Sequence, residues 1–169
     1  MSGYTPLAEI AAGIAARIEA TGKFKRVTFA QATNGEQIWE MLEGLANLPC
    51  AVVALGTADY ENEGLKRTIR PLVFVAGGFK RGLAADAGGI WQLVESVNHC
   101  FLPEITSAGA DYPEVCGIEF TPASWNPISS PASVSAYCLS LSGTEFLNKE
   151  LLIYGNETSR YGGVASWHR

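Results

Sequence analysis

The sequence predicts an α+β fold: a mixed, mainly antiparallel sheet packed against two main helices in a single-layer sandwich. Three observations predict it. Two segments, 5–21 and 84–101, repeat apolar residues at helical spacing. Apolar or alternating runs of strand length lie between and after them. The order is helix, strand, helix, strand, strand, helix, strand, strand, which gathers helices on one face of an antiparallel sheet.

The first helix is expected at 5–21, with Thr5 as cap and Pro6 in the first turn, where its missing N–H is harmless. Leu7, Ile10, Ala11, Ile14 and Ile18 form its apolar stripe, and Gly22 supplies a left-handed stop. A short strand follows at about 24–30, with Phe24, Val27 and Phe29 as its apolar members. A second, shorter helix is expected at 36–46, since Asn34 and Gln37 have capping-box spacing and Ile38, Met41, Leu42 and Leu45 share its period. Pro49 forbids its continuation. The run Cys50-Ala51-Val52-Val53-Ala54-Leu55 reads as a strand buried on both faces.

Residues 57–65 read as a polar loop, and 66–76 as a strand whose buried end is Leu72-Val73-Phe74-Val75. Pro71 inside that strand implies an edge or a bulge. After a turn at 77–82, a long helix spans 84–101, with Leu83, Ala87, Ile90, Val94, Val97 and Phe101 in one stripe. Gly88-Gly89 weaken that helix by ~1 kcal/mol each relative to Ala and mark close packing against the sheet. Proline-rich sequence then encloses a strand at 115–120. Residues 133–141 alternate, with Val134, Ala136, Cys138 and Ser140 on one face and Ser135, Tyr137, Leu139 and Leu141 on the other. Residues 146–154 add an edge strand. One domain over 1–154 and an extended or flexible tail over 155–169 complete the expectation.

The chain has 169 residues, 47% of them hydrophobic and 17% charged, enough to build a core. Its net charge of −5 argues against a general nucleic-acid binder. No apolar run approaches the ~20 residues that cross a bilayer. The start, Met1-Ser2-Gly3-Tyr4, does not read as a secretory signal. Four spaced cysteines, Cys50, Cys100, Cys116 and Cys138, read as reduced and mostly buried, consistent with a cytoplasmic setting.

No catalytic, cofactor-binding or metal-binding constellation emerges. The turn 77–82, Gly-Gly-Phe-Lys-Arg-Gly, sits between strand and helix as a phosphate loop would, but Leu83 and Ala84 replace the lysine and hydroxyl such a loop needs. His99, Cys100 and Cys116 lack zinc-ligand spacing, because adjacent helical residues point about 100° apart. His168 lies next to the last residue, and Ser129 and Ser130 lack a nucleophile signature. Asp59, Glu61 and Glu63 lack calcium-loop spacing. Two basic groups remain, Lys66, Arg67 and Arg70, and Lys80 and Arg81.

Taken together, the capped N-terminal helix, the strand Leu48-Pro49-Cys50-Ala51-Val52-Val53, the acidic loop 59–63, the strand ending Leu72-Val73-Phe74-Val75, the helix 84–101 and the Trp125-Asn126-Pro127 loop form a known pattern. It resembles the small tail-terminator and tail-completion proteins of tailed bacteriophages, including the Mu gp37-like and minor tail protein U-like groups. The resemblance covers residues 5–142 and is one of length and element order. It implies a structural virion protein that caps the tail tube and forms a ring, typically of six copies, at the head–tail junction. It implies no cofactor and no catalysis, and residence in the virion after assembly in the bacterial cytoplasm. Partners would be copies of itself, the tail tube and head-connector proteins, without nucleic acid or membrane. The alternative is a small-molecule-binding α+β domain or enzyme with a pocket near the 77–82 turn.

The acidic residues Asp59, Glu61 and Glu63 and the basic residues Lys66, Arg67, Arg70, Lys80 and Arg81 are the candidate subunit interface. Opposite charges on neighbouring copies would set register, while apolar area supplies strength. Otherwise both segments are solvated loops.

Overall fold

The computed structural model describes residues 3–31, 48–78, 84–130 and 134–147, with the backbone alone at 84–88. The helix expected at 36–46, the turn residues 79–82 with Lys80 and Arg81, and the tail 155–169 lie outside these residues, as does nearly all of the strand expected at 146–154.

Helix α1 spans Leu7–Glu19. Strand β1 is Arg26–Phe29, β2 is Cys50–Glu61 and β3 is Lys66–Gly78. Helix α2 is Ala84–His99. Five strands follow: β4 Glu104–Thr106, β5 Gly109–Asp111, β6 Glu114–Val115, β7 Ile118–Pro127 and β8 Val134–Phe146. Six of them form one sheet in the order β1-β2-β3-β8-β7-β6, while β4 and β5 pair separately. The β1–β2 pair is parallel and the other pairs are antiparallel.

The single-layer α+β sandwich dominated by two helices does not form. Strand accounts for about half of the structure and helix for about a quarter, and the six-stranded sheet curls around the helices. The expectation failed at two places. The polar loop read at 57–65 is the second half of β2 with its turn, and the stretch from 103 to 127 holds four strands where one was read. Strands with one wet face carry Thr, Ser, Asp and Glu at alternate positions, and such composition imitates a loop.

Two bulges interrupt the regular register of the sheet. Between Leu55 and Thr57 the register against β3 slips by one residue, and Pro71 sits opposite Leu55 beside the slip. Pro71 is therefore accommodated at a bulge in a central strand. Gly56 is required there, because a Cβ would lie 2.8 Å from the Arg70 carbonyl oxygen. A second slip falls between Pro122 and Ser124, against β8.

Each sheet face has its own core. Facing the helices, Ala51, Val53, Ile69, Val73, Val75, Leu139 and Leu141 meet Ile10, Ile14 and Ile18 of α1 and Ile90, Val94, Val97 and Phe101 of and beyond α2. Fully burying such side chains stabilises by roughly 1.5–3 kcal/mol each. On the other face Cys50, Val52, Ala54, Phe74, Ala76, Val134 and Ala136 form a second cluster. Residues 50–54 are thus buried on both faces, and the alternation read for β8 holds. Phe120 is fully buried over Gly143, where any Cβ would collide with its ring.

Two local expectations are corrected. Thr5 does not cap α1; its hydroxyl donates to Glu145, and Pro6 occupies the cap position. A Cβ on Gly89 would meet nothing, whereas one on Gly77 would lie 3.2 Å from Leu93, so the close helix–sheet approach is made from the strand side. Gly22 has the expected left-handed conformation, with φ of 67°.

Candidate functional site: the arm beyond Gly56

Beyond the Gly56 bulge, β2 and β3 continue as an arm, with β8 still paired to β3 as far as Phe146 opposite Lys66. All six β2 residues from 56 to 61 are exposed. The bulge changes which residues face the helices: Ala58 and Tyr60 take that side, opposite Ile69 and Arg67, while Asp59 and Glu61 face outward opposite Thr68 and Lys66. The arm turns through Asn62, Glu63 and Gly64, all at positive φ.

The outward face is charged and pairs with itself. Asp59 binds Arg70, and Glu61 lies 3.3 Å from Lys66. Thr68 and Thr144 share a hydroxyl hydrogen bond one strand over. These ion pairs are open to water and worth little individually, ~0–1 kcal/mol.

The inward face is different. Arg67 is 4% exposed and is the buried charged side chain among the described residues. Its Nη2 donates to Glu145 Oε2 and to the Thr5 carbonyl, each at 2.8 Å. Glu145 Oε1 accepts from the Thr5 amide at 3.0 Å and from its hydroxyl at 2.6 Å. The guanidinium carbon lies 4.5 Å from the centre of the Tyr4 ring. Tyr4 packs edge-on against Tyr60 and donates its hydroxyl to the Gly64 carbonyl at the arm's turn. The segment before α1 is therefore a strap from the helix to the arm. Burial pushes the Glu145 carboxyl up, but the Thr5 hydrogen bonds and Arg67 outweigh it and hold it below its ordinary value. Arg67 Nε is buried without an acceptor, a local cost of this junction.

Of the residues nominated from sequence, Asp59, Glu61, Lys66 and Arg70 thus meet one another across the arm, Glu63 lies in its turn, and Arg67 is turned inward. Sequence reasoning missed Tyr4, Thr5, Tyr60 and Glu145. The available signal was the strict alternation of Thr57-Ala58-Asp59-Tyr60-Glu61, which is a strand pattern.

Other groups carry less chemistry. All four cysteines are free, with Cys116 exposed, Cys50 buried, and Cys100 and Cys138 between. Burial pushes the Cys50 thiol up to about 11 despite nearby Arg26, so it is a packing group and not a nucleophile. Among the described residues no three His, Cys, Asp or Glu side chains are placed to share a metal ion. Cys116 and Gly117 form a turn at positive φ between β6 and β7, splitting the strand expected at 115–120. An open groove of about 550 Å³ runs between the end of α1 and α2, lined by Thr21, Lys23, Glu95, Ser96, His99 and Cys100. Trp91 donates to the Tyr137 hydroxyl at 2.9 Å, and Trp125 packs edge-on against the same tyrosine. No helix among the described residues is long and apolar enough to cross a membrane. No protein-family model matches the chain, and no curated protein matches it.

Proposed function

We propose that this chain is a structural subunit of a phage or prophage virion, of the tail-terminator type. It caps the tail tube, joins copies of itself in a ring at the head–tail junction, and acts by contact without catalysis. Six copies is the number the sequence resemblance implies. Its partners are then other copies, the tail tube and head-connector proteins, and it assembles in the bacterial cytoplasm before residing in the virion.

The observation that supports this reading is the arm. Beyond Gly56 the β2 half of the arm is an exposed edge among the described residues, since β1 pairs β2 only as far as Val53. The arm is nevertheless held in place, by the Tyr4–Thr5 strap on one face and the Asp59–Arg70 and Glu61–Lys66 pairs on the other. A rigid, exposed arm serves contact with another chain, because its ordering entropy is already spent before association. On this reading Asp59, Glu61, Glu63, Lys66 and Arg70 present the arm to a neighbour and Arg67 holds the arm from within, while Lys80 and Arg81 lie outside the described residues.

Electron microscopy of the purified protein, alone and mixed with tail tubes, tests the reading. Rings, or density capping the tube end, are expected. A protein that stays monomeric and never associates with tubes overturns it.

A further inference from the structure

The two edges of the main sheet carry opposite charge. Strand β1 lies at one edge and β6, continuing into β7, at the other. Leading into and along β1, Lys23, Lys25 and Arg26 are exposed, Lys23 on the rim of the α1–α2 groove and Lys25 and Arg26 at the start of the strand, with Phe29 46% exposed further along it. From residue 101 to residue 147 the chain has no Lys or Arg, while Glu104, Asp111, Glu114 and Glu119 are all exposed.

The register makes this segregation costly. Glu114 lies directly opposite Glu119 across β6 and β7. Glu104 lies directly opposite Asp111 across β4 and β5. Like charges facing each other in an antiparallel pair are destabilising, and here the pattern occurs twice. None of the four carboxylates has an ion-pair partner among the described residues. The guanidinium at this end of the molecule, Arg17, donates instead to the carbonyls of Cys100 and Glu114, at 3.2 Å each.

From this juxtaposition we infer that the acidic β6–β7 edge, with the β4–β5 hairpin beside it, docks the basic β1 edge of a second copy of this chain. Three features favour a second copy over an unrelated cationic partner. The complementary charge is present on the same chain, at the opposite edge of the same sheet. Such a contact is head-to-tail, and a head-to-tail contact closes into a ring when its rotation allows. Both edges are also unsuited to indiscriminate pairing, since β1 has only four residues and β7 carries Pro122 and Pro127. Charge then selects the partner and its register, while Phe29 on one copy and Ile105, 76% exposed, on the other supply apolar area. The inference rests on the ring-subunit reading and relocates its main contact from the arm to the sheet edges.

Two reciprocal variants test it. Lys23→Glu with Arg26→Glu makes both edges acidic, and Glu114→Lys with Glu119→Lys makes both edges basic. Sedimentation at low salt and capping of tail tubes are measured for each alone, for an equimolar mixture, and for one chain carrying all four changes, with circular dichroism to verify folding. Each variant alone should associate at least tenfold more weakly than the unaltered protein. The mixture and the four-fold variant should recover association, and 0.5 M salt should weaken the unaltered protein. In addition, Glu119→Gln should raise the melting temperature of the dissociated subunit while weakening association, opposite directions that a merely structural role would not produce. Rings that form equally well from every variant overturn the edge contact and leave the ring reading standing. An unaltered protein that neither self-associates nor binds tubes overturns both.

Discussion

The two halves of β2 belong to one strand yet answer to different solvents. Residues 50–54 are buried on both faces, against α1 on one side and a second apolar cluster on the other. Residues 56–61 are all exposed, and what holds them is polar: cross-strand ion pairs outside, a strap and a buried Arg67–Glu145 pair inside. One glycine divides them. The difference teaches that a strand can be stabilised along its length by two unrelated kinds of force, and that they should fail under different conditions.

Three measurements break or sharpen that contrast. The largest effect belongs to the core. Phe120→Ala removes a fully buried ring from over Gly143 and should lower unfolding free energy by about 3–5 kcal/mol, read as a shift in urea midpoint at unchanged slope. A change below about 1 kcal/mol would mean that the β7–β8 part of the sheet is not packed as a core.

The junction between core and arm comes next. Glu145→Gln leaves Arg67 buried without its countercharge and should cost about 3 kcal/mol. The pair also sets a pH dependence. Because the folded carboxyl is held below its ordinary 4.5, its stabilisation is complete above that pH and disappears as pH falls through the lower folded value. Chemical denaturation between pH 3 and 6 should therefore show a steeper acid loss in the unaltered protein than in Glu145→Gln. Parallel curves would remove Glu145 from the explanation.

The smallest effect belongs to the outer face of the arm. Asp59 and Arg70 are about half exposed, so Asp59→Ala should change stability by no more than ~0.5 kcal/mol, and the change should vanish at 1 M salt. A salt-independent loss as large as that of Glu145→Gln would mean that the arm is held by its surface pairs after all.

Legibility followed the same division. The stripes Ile10, Ile14, Ile18 and Ile90, Val94, Val97, Phe101 were readable because a helix with one dry face must repeat its apolar residues. The continuous run 50–55 and the alternating run 134–141 were readable for the corresponding strand reasons. The arm was read as a loop because a strand wet on both sides carries the composition of one, and because the bulge at Gly56 reverses the alternation in mid-strand. Of the site, the charged residues were visible as types, but not that Asp59 would meet Arg70 or that Arg67 would turn inward.

The sequence by itself determined which segments had to be dry, because apolar periodicity is a local property of the chain. It also determined the charge segregation between residues 23–26 and 101–147. Tertiary structure alone decided that Arg67 would be buried against a residue 78 positions away, that Thr5 would bind Glu145 in place of capping its helix, and that the basic and acidic segments would lie at opposite edges of one sheet. Each of these depends on strand order and register. Those are set by which faces of distant segments can bury one another, a choice that no local pattern contains.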